Sequence, residues 1–145
     1  KLNFIGEISR FDKVLIKQIK KSQENTSKYD PKMNLNIAIS YGGRWDLEQA
    51  LKKIIDDILK ETIKIKNLNE GLISNYLSTS QIKDPDMIIR SGGEKRISNF
   101  FLWQAAYSEI YFSDKLWPDF NEKDFKEALN EFSSRKRKFG VKTGI

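Results

Sequence analysis

Two β-rich runs in this chain end on glycine pairs. Met33 to Ile39 stops at Tyr41-Gly42-Gly43, and Met87-Ile88-Ile89 passes through Arg90-Ser91 into Gly92-Gly93. Runs of this kind read as strands leaving a sheet, and the glycines read as the turns that follow them. After the first pair comes the clearest helix in the sequence. Leu47, Ala50, Leu51, Ile54, Ile55, Ile58 and Leu59 form one apolar stripe at helical spacing. Asp46 stands where a cap is expected. Strand, glycine turn and helix in succession predict an α/β fold with a mainly parallel β-sheet flanked by helices. Ligands of such sheets collect beyond the carboxyl ends of the strands, where both glycine pairs fall.

The remaining segments fit that architecture. Leu2 to Ile5 reads as a short strand closed by Gly6. Phe11, Val14, Leu15 and Ile19 predict a helix with Ser9 as its N-cap, ended by the polar stretch Ser22 to Pro31. A shorter helix is expected over 69–79, and the turn Asp84-Pro85-Asp86 precedes the strand at Met87. Leu102, Trp103, Ala106, Tyr107 and Ile110 again have helical spacing. A strand over Glu109 to Phe112 and a last helix near Asn121 to Arg137 complete the order β-α-β-α-α-β-α-β-α. At 145 residues this is one domain's worth of chain.

Composition removes several chemistries. The sequence has no cysteine and no histidine, so disulfides, thiolate nucleophiles, imidazole bases and histidine metal sites are excluded within it. The absence of cysteine agrees with a reducing compartment. A formal net charge of +6 favours anionic partners. No run approaches the roughly 18 apolar residues of a membrane span. The start at Lys1-Leu2-Asn3-Phe4-Ile5 reads as a strand entered midway, and a natural N-terminal portion is expected before it.

The segment Arg90-Ser91-Gly92-Gly93-Glu94-Lys95-Arg96-Ile97-Ser98 suits an anion with several oxygens. Guanidinium forks pair with phosphate oxygens, glycines let backbone N–H groups come close, and hydroxyls add hydrogen bonds. On local pattern alone the default reading is a glycine turn with solvated charges, since short patterns of this kind are common. Tyr41 to Asp46 has the same two readings, and the structural one is the default at a strand-to-helix turn. The aromatic stretch 100–112 reads as core or as a subunit surface. Glu109, between Tyr107 and Tyr111, needs a cation, which is either an arginine or a metal such as Mg²⁺ held with substrate phosphates. The basic tail Arg135-Lys136-Arg137-Lys138-Phe139-Gly140 is either a solvated helix end or an arm that reaches an anion.

A longer pattern bears on these alternatives. Asp86 to Phe100, Leu102-Trp103-Gln104, Tyr107, Glu109 and Leu116-Trp117-Pro118-Asp119-Phe120 resemble the C-terminal signature of the cis-prenyltransferases, in the bacterial undecaprenyl diphosphate synthase branch. Asn36-Ile37-Ala38 with Tyr41 to Asp46, and the opening strand with Gly6, Ser9 and Arg10, are similar to that family too. The resemblance covers nearly the whole chain and implies that residues 1–145 are the C-terminal portion of a single catalytic domain.

The resemblance implies a prenyl transferase. It would condense isopentenyl diphosphate with an allylic diphosphate such as farnesyl diphosphate, making undecaprenyl-type carriers for cell-wall synthesis. It implies Mg²⁺ as cofactor, a homodimer without nucleic-acid partners, and a cytoplasmic location with peripheral contact at the inner membrane face through the lipid product. By the same resemblance, Arg90, Arg96 and Ser98, with the backbone at Ile97, match the isopentenyl-diphosphate site, and Glu109 matches a Mg²⁺-linked glutamate. The family's Asp-Gly-Asn-Gly-Arg-Trp motif, which carries the essential aspartate and the allylic-diphosphate loop, has no counterpart here. Catalytic residues are therefore expected upstream of Lys1, with none in this chain. Lys138-Phe139-Gly140 departs from the family's Arg-x-Gly by losing the fork. A non-catalytic partner subunit and a basic nucleic-acid-binding module are the rival readings; the first would be expected to lose Arg90, Arg96, Ser98 and Glu109, and dispersed positive charge weakens the second.

Overall fold

The computed structural model describes residues 1–135. The described residues form two compact units, 1–83 and 84–135. In the first, strand β1 (Leu2–Ile5) pairs in parallel with β2 (Leu35–Ala38), in register from Leu2 opposite Leu35 to Ile5 opposite Ala38. Gly6 ends β1 where only glycine fits: its φ is +113°, and a Cβ there would lie 2.0 Å from the carbonyl oxygen of Ile39.

Helix α1 (Lys13–Ser27) packs on β1. Its cap is Asp12, not Ser9: the Asp12 carboxylate accepts the Leu15 N–H at 2.8 Å, while Ser9 lies in a 3-10 turn over Ile8–Arg10. The helix also runs on through Ser22 to Ser27 instead of ending there. Thr26 explains part of this, because its hydroxyl returns a hydrogen bond to the Ser22 carbonyl and accepts the Leu2 N–H at 3.0 Å, fixing the last turn to the sheet.

Helix α2 (Gly43–Leu59) and the short α3 (Glu70–Tyr76), capped by Asn69, pack on each other. Only part of the predicted stripe of α2 is covered. Ala50 and Ile54 are fully buried, whereas Leu51, Ile55 and Leu59 are exposed. Asp46 is not the cap. It lies one turn inside α2, 2% exposed, where it accepts the Tyr41 hydroxyl at 3.0 Å and the Ser78 N–H at 2.8 Å. Gly42 precedes the helix in an extended conformation, and Ser40 takes the positive φ of that connection. Tyr41 to Asp46 is thus a strand-to-helix connection.

In the second unit, β3 (Met87–Arg90) pairs in parallel with β4 (Glu109–Phe112), in register from Met87 opposite Glu109 to Arg90 opposite Phe112. The predicted parallel pairing is therefore present as two separate two-stranded ladders. The helix expected between β3 and β4 does not form. Ser98, Asn99 and Phe101 have φ of +46°, +63° and +47°, values that no right-handed helix accommodates. Residues 97–107 instead make a succession of turns. A 3-10 turn (Trp117–Asp119) leads to α4 (Glu122–Ser134), which Asn121 and Asp124 close with a reciprocal capping box. The predicted extension of this helix to Arg137 stops at Ser134, with Arg135 as its C-cap. Lys136 to Gly140, including Lys138-Phe139-Gly140, lie outside the described residues.

Candidate functional site

Arg90 is the last residue of β3. Side chains alternate along a strand, so Ile88 and Arg90 share a face with their partners Ile110 and Phe112. That face forms the floor of a cleft of about 300 Å³, walled by Ile97 and Phe100 and edged by Arg90, Ser91 and Arg96. The floor is apolar and the edge cationic. A ligand with a small hydrocarbon body and an anionic head matches both parts.

Three of the expected site residues are joined by direct bonds. Arg90 Nη1 donates to Ser98 Oγ at 3.0 Å and to the Arg96 carbonyl. One guanidinium therefore folds residues 96–98 back over the end of β3. Arg96 pairs with Glu94 and is largely exposed, its side chain 64% accessible, which leaves it able to exchange that carboxylate for a ligand's phosphate. Ile97 contributes to the cleft wall, and its carbonyl accepts the Phe100 N–H at 3.0 Å. Ser98 sits in the left-handed region, a strain of the kind that clusters at ligand sites.

For the glycines the structure bears out the plainer of the two readings, a turn. Their N–H groups do not reach toward the cleft; Gly92 donates to the Lys115 carbonyl at 2.7 Å and Gly93 to that of Ser113 at 2.9 Å. With φ of +93° and +77° they make a turn, so an anion at this edge would meet side chains. Lys95 is exposed and outside the cleft wall.

Glu109 is placed elsewhere. It opens β4 opposite Met87, three residues before Phe112, and alternation turns it to the face opposite the cleft. There its Oε2 accepts Arg135 Nη1 at 2.8 Å, and Arg135 also bonds the Ile110 carbonyl at 3.2 Å and pairs with Glu131. Hydrogen bonds that Arg135 donates to Glu109 and then to Glu131 hold its guanidinium above its ordinary pKa. On the same face burial, with Glu127 and Glu131 nearby, raises the Tyr111 phenol. Glu109 thus has an arginine partner, one of the two kinds open to it in the sequence. No group of three acidic, histidine or cysteine side chains able to hold a metal occurs among the described residues. Mg²⁺ bound on substrate phosphates asks for only one or two carboxylates, and Glu109 has the right chemistry to be one, provided Arg135 gives way.

Residues 1–140 match the family model described as "Putative undecaprenyl diphosphate synthase". The chain belongs to the cis-prenyltransferases. Its similarity to the ditrans,polycis-undecaprenyl-diphosphate synthase of Buchnera aphidicola subsp. Schizaphis graminum, described as (2E,6E)-farnesyl-diphosphate specific, is 49% identity over 140 residues, which is 97% of this chain and 56% of that protein. The Haemophilus influenzae protein of the same description is 45% identical over 139 residues, covering 96% of this chain and 58% of its own length. The chain thus spans little more than half the length of the curated relatives it matches, in their C-terminal part. Among solved cis-prenyltransferase structures, lavandulyl diphosphate synthase from Lavandula x intermedia, in complex with dimethylallyl diphosphate, superposes with a TM-score of 0.92 at 36% identity, covering 97% of this chain and 60% of that one. A probable undecaprenyl diphosphate synthase from Campylobacter jejuni gives 0.82 at 35% identity, covering 97% and 63%. The α/β fold with parallel strands is that of the cis-prenyltransferases.

Lys115, Asp124 and Arg135 shape this region; the sequence reading gave the first two no role in it and placed Arg135 only in the basic tail. Asn121 and Asp124 stand three apart ahead of an apolar pattern, a spacing that announces a capping box. Arg135 follows Glu131 by four residues, the spacing of a helical ion pair. Its bond to Glu109 had no local signal.

Proposed function

We propose that this chain carries the isopentenyl-diphosphate half of a prenyl chain-elongating site, in an enzyme that joins isopentenyl diphosphate to an allylic diphosphate such as farnesyl diphosphate. The observation that carries the reading is the cleft beyond β3, with Arg90, Arg96 and Ser98 linked at its edge above an apolar floor. Condensation forms a bond between C1 of the allylic substrate and C4 of isopentenyl diphosphate; the allylic C1–O bond breaks to release diphosphate, and a proton leaves C2 of the isopentenyl unit. The two guanidinium groups hold the diphosphate that stays on the product, and the Ser98 hydroxyl orients one of its oxygens. Ile88, Ile110 and Phe112 take the five-carbon body and exclude water from it. Strong positioning of this kind supplies much of the advantage of a two-substrate reaction.

Groups for the allylic diphosphate belong, on this reading, to residues upstream of Lys1, and residues 1–145 form the C-terminal portion of one catalytic domain. Mg²⁺, when bound, would neutralise charge on the diphosphates, and Glu109 is the carboxylate of this chain that we assign to it. The names of the relatives support undecaprenyl diphosphate as the product. A homodimer using the aromatic stretch 100–112 is part of the same proposal; Phe100, Leu102 and Tyr107 are exposed there. So is a cytoplasmic enzyme that touches the membrane through its product. Among the described residues no helix is long and apolar enough to cross a membrane.

The test is incorporation of radiolabelled isopentenyl diphosphate with farnesyl diphosphate as primer. The full-length protein is expected to give polyprenyl product, and the isolated 145-residue chain none. Product from the isolated chain would overturn the division of the site, and none from the full-length protein would overturn the reading itself.

A further inference from the structure

The turn that carries the cleft's cationic edge is fastened from outside. Gly92 and Gly93 give their N–H groups to the carbonyls of Lys115 and Ser113, and Ser113 gives its own N–H to the Arg90 carbonyl at 2.8 Å. These three backbone bonds attach the turn after β3 to the residues after β4. Those residues are in turn held by one side chain. Lys115 Nζ meets Asp124 Oδ1 at 2.7 Å, and the other Asp124 oxygen accepts the Asn121 N–H at 2.9 Å. Asp124 is buried at 9% exposure, so its carboxylate serves the first turn of α4 and the lysine together.

We propose that Lys115 and Asp124 are a positioning pair that fixes the glycine turn, and through it the fit of the Arg90–Arg96–Ser98 cradle to a diphosphate. This rests on the reading of the cradle given above. The link is short, because the residue whose carbonyl holds Gly92 is the one whose ammonium is anchored on α4. Glycine has the greatest backbone freedom of any residue, so a turn with two of them keeps its place only through such outside bonds. Neither Lys115 nor Asp124 lines the cleft. They act on ligand through the turn alone. Hydrogen bonding between them raises the Lys115 pKa and lowers that of Asp124, which keeps both charged through the neutral range.

An ion pair that merely stabilised α4 would change folding and leave substrate affinity alone, so the test separates the two substrates. Steady-state kinetics of the full-length protein are measured with isopentenyl diphosphate varied at saturating farnesyl diphosphate, and then the reverse. Lys115→Met and Asp124→Asn are expected to raise the KM for isopentenyl diphosphate about five- to twenty-fold, as for charged hydrogen bonds moved out of place. The kcat and the KM for farnesyl diphosphate stay near wild type. Lys115→Arg restores the affinity, because a guanidinium can reach the same carboxylate. Asp124→Asn keeps an oxygen for the Asn121 N–H, so the helix start survives in that variant. Arg96→Ala is run beside them as the control for the cradle. If it raises the KM while Lys115→Met and Asp124→Asn do not, the positioning pair is overturned and the cradle stands. If Arg96→Ala has no effect either, the cradle reading fails and the pair falls with it.

Discussion

Arg90 Nη1 lies 3.0 Å from Ser98 Oγ, so the residue that ends β3 also holds the loop that follows it. The same nitrogen bonds the Arg96 carbonyl. Arg90 is therefore the clasp of the loop that follows it and, in the proposed function, a ligand group as well. Arg90→Lys keeps the charge but loses the planar fork that serves both purposes. The KM for isopentenyl diphosphate is expected to rise roughly ten-fold or more, the size of one charged hydrogen bond. Steady-state kinetics with each substrate varied in turn check this; equal effects on both substrates would point to general disruption.

Glu109 faces α4 and binds Arg135, so its assignment to Mg²⁺ makes a separate prediction. Glu109→Gln keeps an oxygen for Arg135 but loses the negative charge a divalent cation needs. The Mg²⁺ concentration for half-maximal activity is expected to rise while the thermal midpoint changes little. An unchanged Mg²⁺ titration would reduce Glu109 to its ion pair.

Gly6 provides a test of the fold that does not involve the site. Alanine there meets the Ile39 carbonyl oxygen at 2.0 Å and must adopt a φ of +113°. The expected loss of stability is above about 3 kcal/mol, given backbone strain together with a clash against backbone. Chemical denaturation of wild type and Gly6→Ala measures it.

The Lys115–Asp124 pair sets an expectation for pH. The carboxyl of Asp124 is depressed, first by its bond to Lys115 and then by the Asn121 N–H. Its contribution to stability is present above the ordinary aspartate value of about 3.9 and is lost as pH falls through the lowered folded value. Lys115 is raised by the same bond, so its contribution is present below the ordinary lysine value of about 10.4 and is lost as pH rises through the raised one. Denaturation midpoints of wild type and Asp124→Asn, followed from neutral to acid pH, should converge at the acid end. A constant gap down to the lowest pH would contradict the assignment.

The strands were legible in the sequence because their signals are local. Leu2–Ile5 and Glu109–Phe112 are apolar runs bounded by polar or glycine turns, and they form as read. Residues 97–107 were not legible. Their apolar spacing suits a helix, but Ser98, Asn99 and Phe101 are left-handed, and the Arg90 bonds to residues 96 and 98 tie down the start of the segment. Asp46 looked like a cap and is instead a buried acceptor for Tyr41 and Ser78, the second of them distant in the chain. Glu109 found Arg135 by the same kind of tertiary contact. Partner identity across such distances is set by packing, and composition alone says only that a charge at such a place will need a partner.

The central claim is that Arg96 and its neighbours hold the diphosphate of isopentenyl diphosphate and not that of the allylic substrate. Equilibrium titration of each substrate separately into the full-length protein, wild type and Arg96→Ala, tests this most directly. Because Arg96 is exposed and bonded to Glu94, its truncation leaves the fold in place. Isopentenyl diphosphate is predicted to bind the variant roughly ten- to a hundred-fold more weakly, the range of a lost charged hydrogen bond, while farnesyl diphosphate binds unchanged. Equal affinity of the two proteins for isopentenyl diphosphate, or an equal loss for both substrates, would contradict the account.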